Sequence, residues 1–156
     1  MKIRAATAGD LDQVCLLADE SAELHHEHEP EVFAPPDTLR DRAFWLASIE
    51  QADGTVLVAV KQERVVGFIT ARILTTFTAT FLRQRIICRV GSIVVSRQHR
   101  REGIGTSLIH AIEAWAVTRA ALEVRLEVFS FNEEAIKFSA TLGYANQVLT
   151  VCRSLP

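Results

Sequence analysis

Gly103 and Gly105 stand in the string Arg100-Arg101-Glu102-Gly103-Ile104-Gly105-Thr106, across a polar turn from the apolar triplet Ile93, Val94 and Val95. Apolar residues at consecutive positions predict a strand covered on both faces. Ile104, Leu108, Ile112 and Trp115 or Ala116 then recur with a helical period. A buried strand therefore feeds a helix N-terminus. The first amides of a helix lack internal partners and lie at the positive end of its dipole, so they bind phosphate oxygens where side chains leave the approach open. Gly103 and Gly105 leave it open, and Arg100 and Arg101 could add positive charge toward phosphates.

Two phosphate-binding signatures fit poorly. A dinucleotide fingerprint requires a third glycine where Leu108 stands, and the stretch from Ser96 to Gly103 is too long for its turn. A nucleotide P-loop requires a Lys followed by Ser or Thr after its last glycine, and no such Lys is present.

Other residue types that could do chemistry are scattered. His25, His26 and His28 alternate with Glu27 and Glu29, between the first two expected helices, and a histidine is the natural base near neutral pH. The H-E-x-x-H spacing is missing, so a solvated helix end is the plainer reading and no metal site is expected. Glu127 falls on an alternating strand, where it serves either as a base or as a surface residue. Cys15, Cys88 and Cys152 are odd in number and widely spaced, which suits a reducing cytoplasm and neither a disulfide framework nor zinc.

These residues need elements to position them. Residues 2–6 predict a strand, and Thr7 with Asp10 predicts a helix start before Leu11, Val14, Cys15 and Ala18. Pro30, Pro35 and Pro36 make a loop, after which Asp37 caps a helix with Leu39, Ala43, Leu46 and Ile49 on one face. Residues 56–60 and 65–73 predict a hairpin, and 85–95 a third strand. Past the glycine-bearing helix, 122–128 alternates as a strand, and Asn132 caps a helix carrying Ala135, Ile136, Phe138 and Leu142. Gly143 closes that helix and a last strand follows at 147–153. The order β-α-α-β-β-β-α-β-α-β predicts an α/β (α+β) mixed sheet with helices packed on it.

A chain of 156 residues, 49% of them hydrophobic, suits one domain over 1–156. Met1-Lys2-Ile3-Arg4-Ala5 does not read as a signal peptide, and no apolar run approaches the roughly 20 residues of a membrane span, so neither membrane nor leader is expected. A net charge of −2 argues against nucleic acid as a partner. The charge is uneven. Between Ala5 and Leu39 there are nine acids and no Lys or Arg, which suggests an acidic side suited to a cationic partner, or simply a solvated helix.

The string Arg100-x-x-Gly103-x-Gly105 resembles motif A of the GNAT superfamily of N-acetyltransferases. Ile3-Arg4 and Ala6 with Asp10 resemble that family's first strand and helix, and residues 65–68 its hairpin. Leu126-Glu127-Val128, Asn132, Ala135 and Leu142-Gly143-Tyr144 resemble its motif B, so the likeness runs along nearly the whole chain. It implies a fourth and fifth strand that splay apart, with acetyl-CoA as acyl donor between them. The implied donor-binding residues are Ile93, Val94, Val95, Arg100, Arg101, Gly103, Ile104, Gly105, Thr106, Asn132 and Phe138. Asn132 is a helix cap first and a pantetheine contact second.

The resemblance further implies transfer of acetyl to a primary amine, on a small molecule or a peptide, by direct attack in a ternary complex, with the amide near Val95 polarising the thioester. A homodimer is compatible with it. Two positions depart from the pattern. Ser139 stands where relatives often carry the tyrosine that protonates the thiolate, and Gly91 and Ser92 stand where many carry an acid. Ser139, Glu127 and His26 are the remaining candidates for proton transfer, and Tyr144 reads as a packing residue. Those departures keep open a second reading, a catalytically silent acyl-CoA-binding sensor or partner module.

Overall fold

A computed structural model describes residues 1–76 and 80–153 of the chain. After strand β1 (Lys2–Ala5), the Thr7 N–H and hydroxyl both donate to the Asp10 carboxylate, at 2.8 and 2.9 Å. Arg4 grips the same carboxylate with bonds of 2.7 and 2.8 Å. This knot launches α1 (Leu11–His28), which buries Val14, Leu17 and Ala18. The helix runs further than its apolar repeat: His25, His26 and His28 form its last turns, so they stand at a helix end, as the plainer reading had it.

Asp37 caps α2 (Thr38–Glu50), accepting from the Leu39 and Arg40 amides at 3.1 and 3.0 Å. Its inward side is the expected one only in part, at Ile49. Leu39 is 88% exposed, and Trp45 and Ile49 make the contact with the core. The indole offers more apolar area than a leucine and so sets the rotation of the helix. Strands β2 (Gly54–Lys61) and β3 (Arg64–Thr76) are joined by Gln62 and Glu63, whose φ values of 49° and 62° make the two-residue turn that matches strand twist.

The rest is β4 (Arg85–Val95), α3 (Ile104–Thr118), β5 (Val124–Leu126) and α4 (Glu133–Thr141). The sheet has the order β1-β2-β3-β4-β5, antiparallel throughout except for the parallel β4–β5 pair. Alternate residues of β2 go to opposite faces. Val56 and Val58 meet α1 and α2, whereas Ala59 and Leu57 join the α3 core of Leu108, Ile109 and Ile112. The mixed α/β class is as expected.

Two strands differ from expectation. The 122–128 run pairs only over the three residues of β5, which leaves Glu127 outside the strand. Residues 147–153 form no strand among the described residues, so the observed order ends on α4. Apolar alternation makes a strand only where a neighbouring edge accepts it.

Candidate functional site

Pairing between β4 and β5 ends at Val90 and Leu126, while β4 continues to Val95 alongside β3. Past β5 the chain departs, and Phe129 and Phe131 pack edge-on to His25 of α1, with Phe129 also 4.7 Å from Phe33 between ring centroids. The parallel pair is therefore splayed. Ser96 donates to the Val66 carbonyl at 2.9 Å. From that bond, the alternation of an antiparallel ladder turns the N–H and C=O groups of Ile93 and Val95 away from β3 and into the gap. The Val94 side chain is buried toward α1, and Ile93 and Val95 rest against the α3 core.

Gly91 is the extra residue of a bulge: Thr70 pairs with Ser92, and Ala71 with Val90. The Thr70 hydroxyl accepts from the Ser92 N–H at 2.9 Å, and a Cβ on Gly91 would stand 2.9 Å from that same oxygen. A carboxylate side chain is thus sterically unwelcome at position 91.

The turn into α3 leaves its backbone open. Among the described residues, none accepts a hydrogen bond from the N–H groups of residues 100–106. The first bond of the helix is Ser107 to the Gly103 carbonyl at 3.0 Å. Gly103 has φ 76° and no side chain to cap the helix, so the amides of Ile104, Gly105 and Thr106 point outward at the positive end of α3. Arg101, at φ 65°, extends the same left-handed corner. The Glu102 carboxylate is bonded to Lys61 at 2.9 Å and faces His99 at 3.3 Å, and these two partners hold it below its ordinary pKa. Its charge is thereby matched locally.

Arg100 lies back on the Val95 carbonyl at 3.4 Å, and both Arg100 and Arg101 lie near Glu134 at the start of α4, at 3.9 and 3.2 Å. Glu134 is largely exposed, so these pairs are weakly held and easily exchanged. Gly105 has a second role that spacing alone did not reveal: a Cβ there would approach the Phe138 ring to 3.1 Å. Asn132 caps α4, its side chain accepting from the Ala135 amide at 3.0 Å.

The proton-transfer candidates separate. Glu127 is exposed and paired with Arg89. The Nδ1 of His26 lies 2.7 Å from the Phe33 carbonyl, which can only accept, so Nδ1 carries the proton. Ser139 donates to the Ile136 carbonyl at 2.9 Å within its own helix. Tyr144 donates to Glu113 at 2.9 Å, and burial, reinforced by that carboxylate, holds its pKa well above the usual phenol. It packs on the α3 core, as a packing residue should. Burial pushes the Cys88 thiol up to about 11, which removes it as a nucleophile. Among the described residues no three His, Cys, Asp or Glu side chains converge on a metal position. No described helix is long and apolar enough to cross a membrane.

Sequence reasoning passed over one pair. The Glu20 carboxylate accepts from the Arg97 N–H at 3.2 Å, and Glu23 lies 3.8 Å from the Arg97 guanidinium. These two acids of α1 therefore stand at the exit of β4, two residues beyond Val95. The signal was visible only as the acidic stretch, because no local spacing connects α1 with a turn far along the chain.

Comparison with known proteins bears on this geometry. Residues 19–144 match the model of the acetyltransferase (GNAT) family. An N-alpha-acetyltransferase of Sulfurisphaera tokodaii is 34% identical over 104 residues, which are 65% of this chain and 62% of that relative. The match thus spans less than two thirds of the relative's length. A crystal structure of a mutant protein from Bacillus halodurans superposes with a TM-score of 0.94 at 25% identity, covering 100% of both chains. An aminoglycoside N-acetyltransferase in complex with CoA has a TM-score of 0.73 at 15% identity, with 99% of each chain covered.

Proposed function

Since the chain belongs to the acetyltransferase (GNAT) family, we propose that it transfers an acetyl group from acetyl-CoA to a primary, cationic amine. The observation that carries this reading is the row of unengaged backbone amides over residues 100–106, beside a β4 that β5 has left. Such a row suits a pyrophosphate, and it needs no side-chain charge to do so. The CoA complex of the aminoglycoside N-acetyltransferase neighbour is consistent with it.

Bound acetyl-CoA would supply a thioester carbonyl open to attack by a neutral amine. On this reading the residues of the chain divide the work. The N–H groups of Ile93 and Val95 hold the arm and polarise the carbonyl oxygen as charge develops on it. Residues 100–106 hold the phosphates, with Arg100 and Arg101 exchanging Glu134 for phosphate oxygens. Phe138 walls the site against Gly105, and the Asn132 amide group keeps its donors while its oxygen caps α4.

On the α1 side, Glu20 attracts the ammonium and takes up its proton, directly or through water, ahead of attack. Its tie to the Arg97 amide fixes its carboxylate near the reacting end of β4. The cleft between α1 and α2 is lined by Asp19, Asp41, Phe44 and Trp45, carboxylates and rings that favour a cation.

The test is release of CoA thiol from acetyl-CoA across polyamines, aminoglycosides, amino acids and lysine peptides, with mass spectrometry of the amine. Turnover is expected for at least one cationic class. Tight acetyl-CoA binding with no amine acetylated would favour the silent binding module instead.

A further inference from the structure

We propose that Arg72, Arg89 and Arg125 form an anion subsite for the acceptor, so that the amine acetylated by this chain belongs to a molecule that also carries a carboxylate. The inference rests on the acetyl-transfer reading and narrows it, from cationic amines in general to those that are zwitterions. Arg72 is the register partner of Arg89 across β3 and β4, and Arg89 is the partner of Arg125 across β4 and β5. Three arginines thus stand side by side on one row of three strands. Val90, Val124 and Leu126 belong to the α3 core, so alternation puts the arginines on the opposite face, the one that α1 and α2 occupy. Helix α2 ends at Glu50, and both Arg72 and Arg89 are exposed.

Like charges directly opposite each other oppose strand pairing, and an anion placed on them relieves it. The chain supplies too few. Arg89 is paired with Glu127, Arg125 shares Glu123 with Arg85, which reaches it at 2.7 Å, and Arg72 donates to the neutral Gln51 side chain. Four guanidiniums therefore meet two carboxylates. These pairs also indicate the chemistry of the missing ligand, since a guanidinium fork fits the two oxygens of a carboxylate. Glu127 is 71% exposed and Arg89 49%, so this pair exchanges readily for an arriving acid.

The row adjoins the Val90–Leu126 pair, where β4 and β5 part. Three rungs further along β4, opposite Ile69, lies Ile93, whose N–H is assigned to the acyl arm. At the rise of a strand this is about 10 Å. An extended acceptor can then place its ammonium in the splay, beside the acidic α1, and its carboxylate on the arginine row. Beyond the row, Leu74 pairs with Ile87, and together with Arg85 and Arg125 they line a cleft of about 570 Å³ that admits a bulkier acid. A polyamine would instead bring a second cation to this row.

The test is steady-state acetylation of a series of ω-amino acids of increasing length, each beside its own amide and the diamine of equal length. For acids long enough to reach the row, kcat/KM should exceed that of the amide at least about tenfold, mainly through KM. Arg89→Gln should bring the acid-to-amide ratio close to one, and Arg89→Lys should recover part of it, which a merely structural role would not do. Glu127→Gln, which releases Arg89, should lower KM for the acids about threefold. Equal kcat/KM for acids, amides and diamines would overturn the inference and leave acetyl transfer standing. So would an acid-to-amide ratio that Arg89→Gln does not change. No turnover of any amine would instead remove the transfer reading, and this inference with it.

Discussion

At the scale of single residues, the site depends on groups that do something other than what their type first suggests. Gly103 is required by its φ of 76°, since a Cβ there would meet nothing within 4 Å. Gly103→Ala should therefore cost about 1 kcal/mol of stability through strain alone. It should also weaken acetyl-CoA binding by roughly tenfold as the amides of Ile104 and Gly105 tilt, measurable by calorimetry. Glu20→Gln separates binding from chemistry: turnover of amine should fall about 100-fold with acetyl-CoA affinity unchanged. An unaltered kcat would remove Glu20 from the proton path. Asp10 tests the foundation of α1. Its carboxylate is 7% exposed, and Arg4 first, with help from Thr7, holds its pKa well below the ordinary carboxylate range. A depressed folded pKa contributes stability that is complete above the unfolded value and is lost as pH falls toward the folded one. Denaturation of the parent should thus show a loss below about pH 4 that Asp10→Asn lacks, the variant being destabilised by about 2 kcal/mol at neutral pH.

Elements were legible where local chemistry alone decides them. The boundaries of β4 and α3, the Asp37 and Asn132 caps and the hairpin at Gln62 and Glu63 follow from period, cap and turn residues. Errors arose where a distant partner decides. Trp45, by packing on Phe68, turned α2 away from the face that Leu39 implied. The 122–128 run lost strand character beyond Leu126 because Phe129 and Phe131 leave to meet His25 and Phe33. Glu20 was missed for the same reason, and the Gly105 contact with Phe138 could be read only once α4 was in place. That contact predicts that Gly105→Leu displaces α4 and Phe138 together. Loss of acetyl-CoA binding accompanied by a changed near-ultraviolet spectrum should separate this variant from Gly103→Ala, whose spectrum stays as in the parent.

For the whole molecule, the sheet divides two kinds of chemistry. One face carries α3 and its open amide row, which on the proposed reading takes the anionic donor, and the other carries the acidic α1 beside α2, which takes the cationic acceptor. The splay beyond Val90 opens the sheet between the two faces. Family membership and the shape shared with the Bacillus halodurans protein agree with this architecture. Site-resolved hydrogen exchange with and without acetyl-CoA tests the arrangement most directly. Slowed exchange at residues 100–106 together with Ile93 and Val95 is the predicted result. Binding that leaves those amides exchanging as before, or protects a different strand edge, would contradict it.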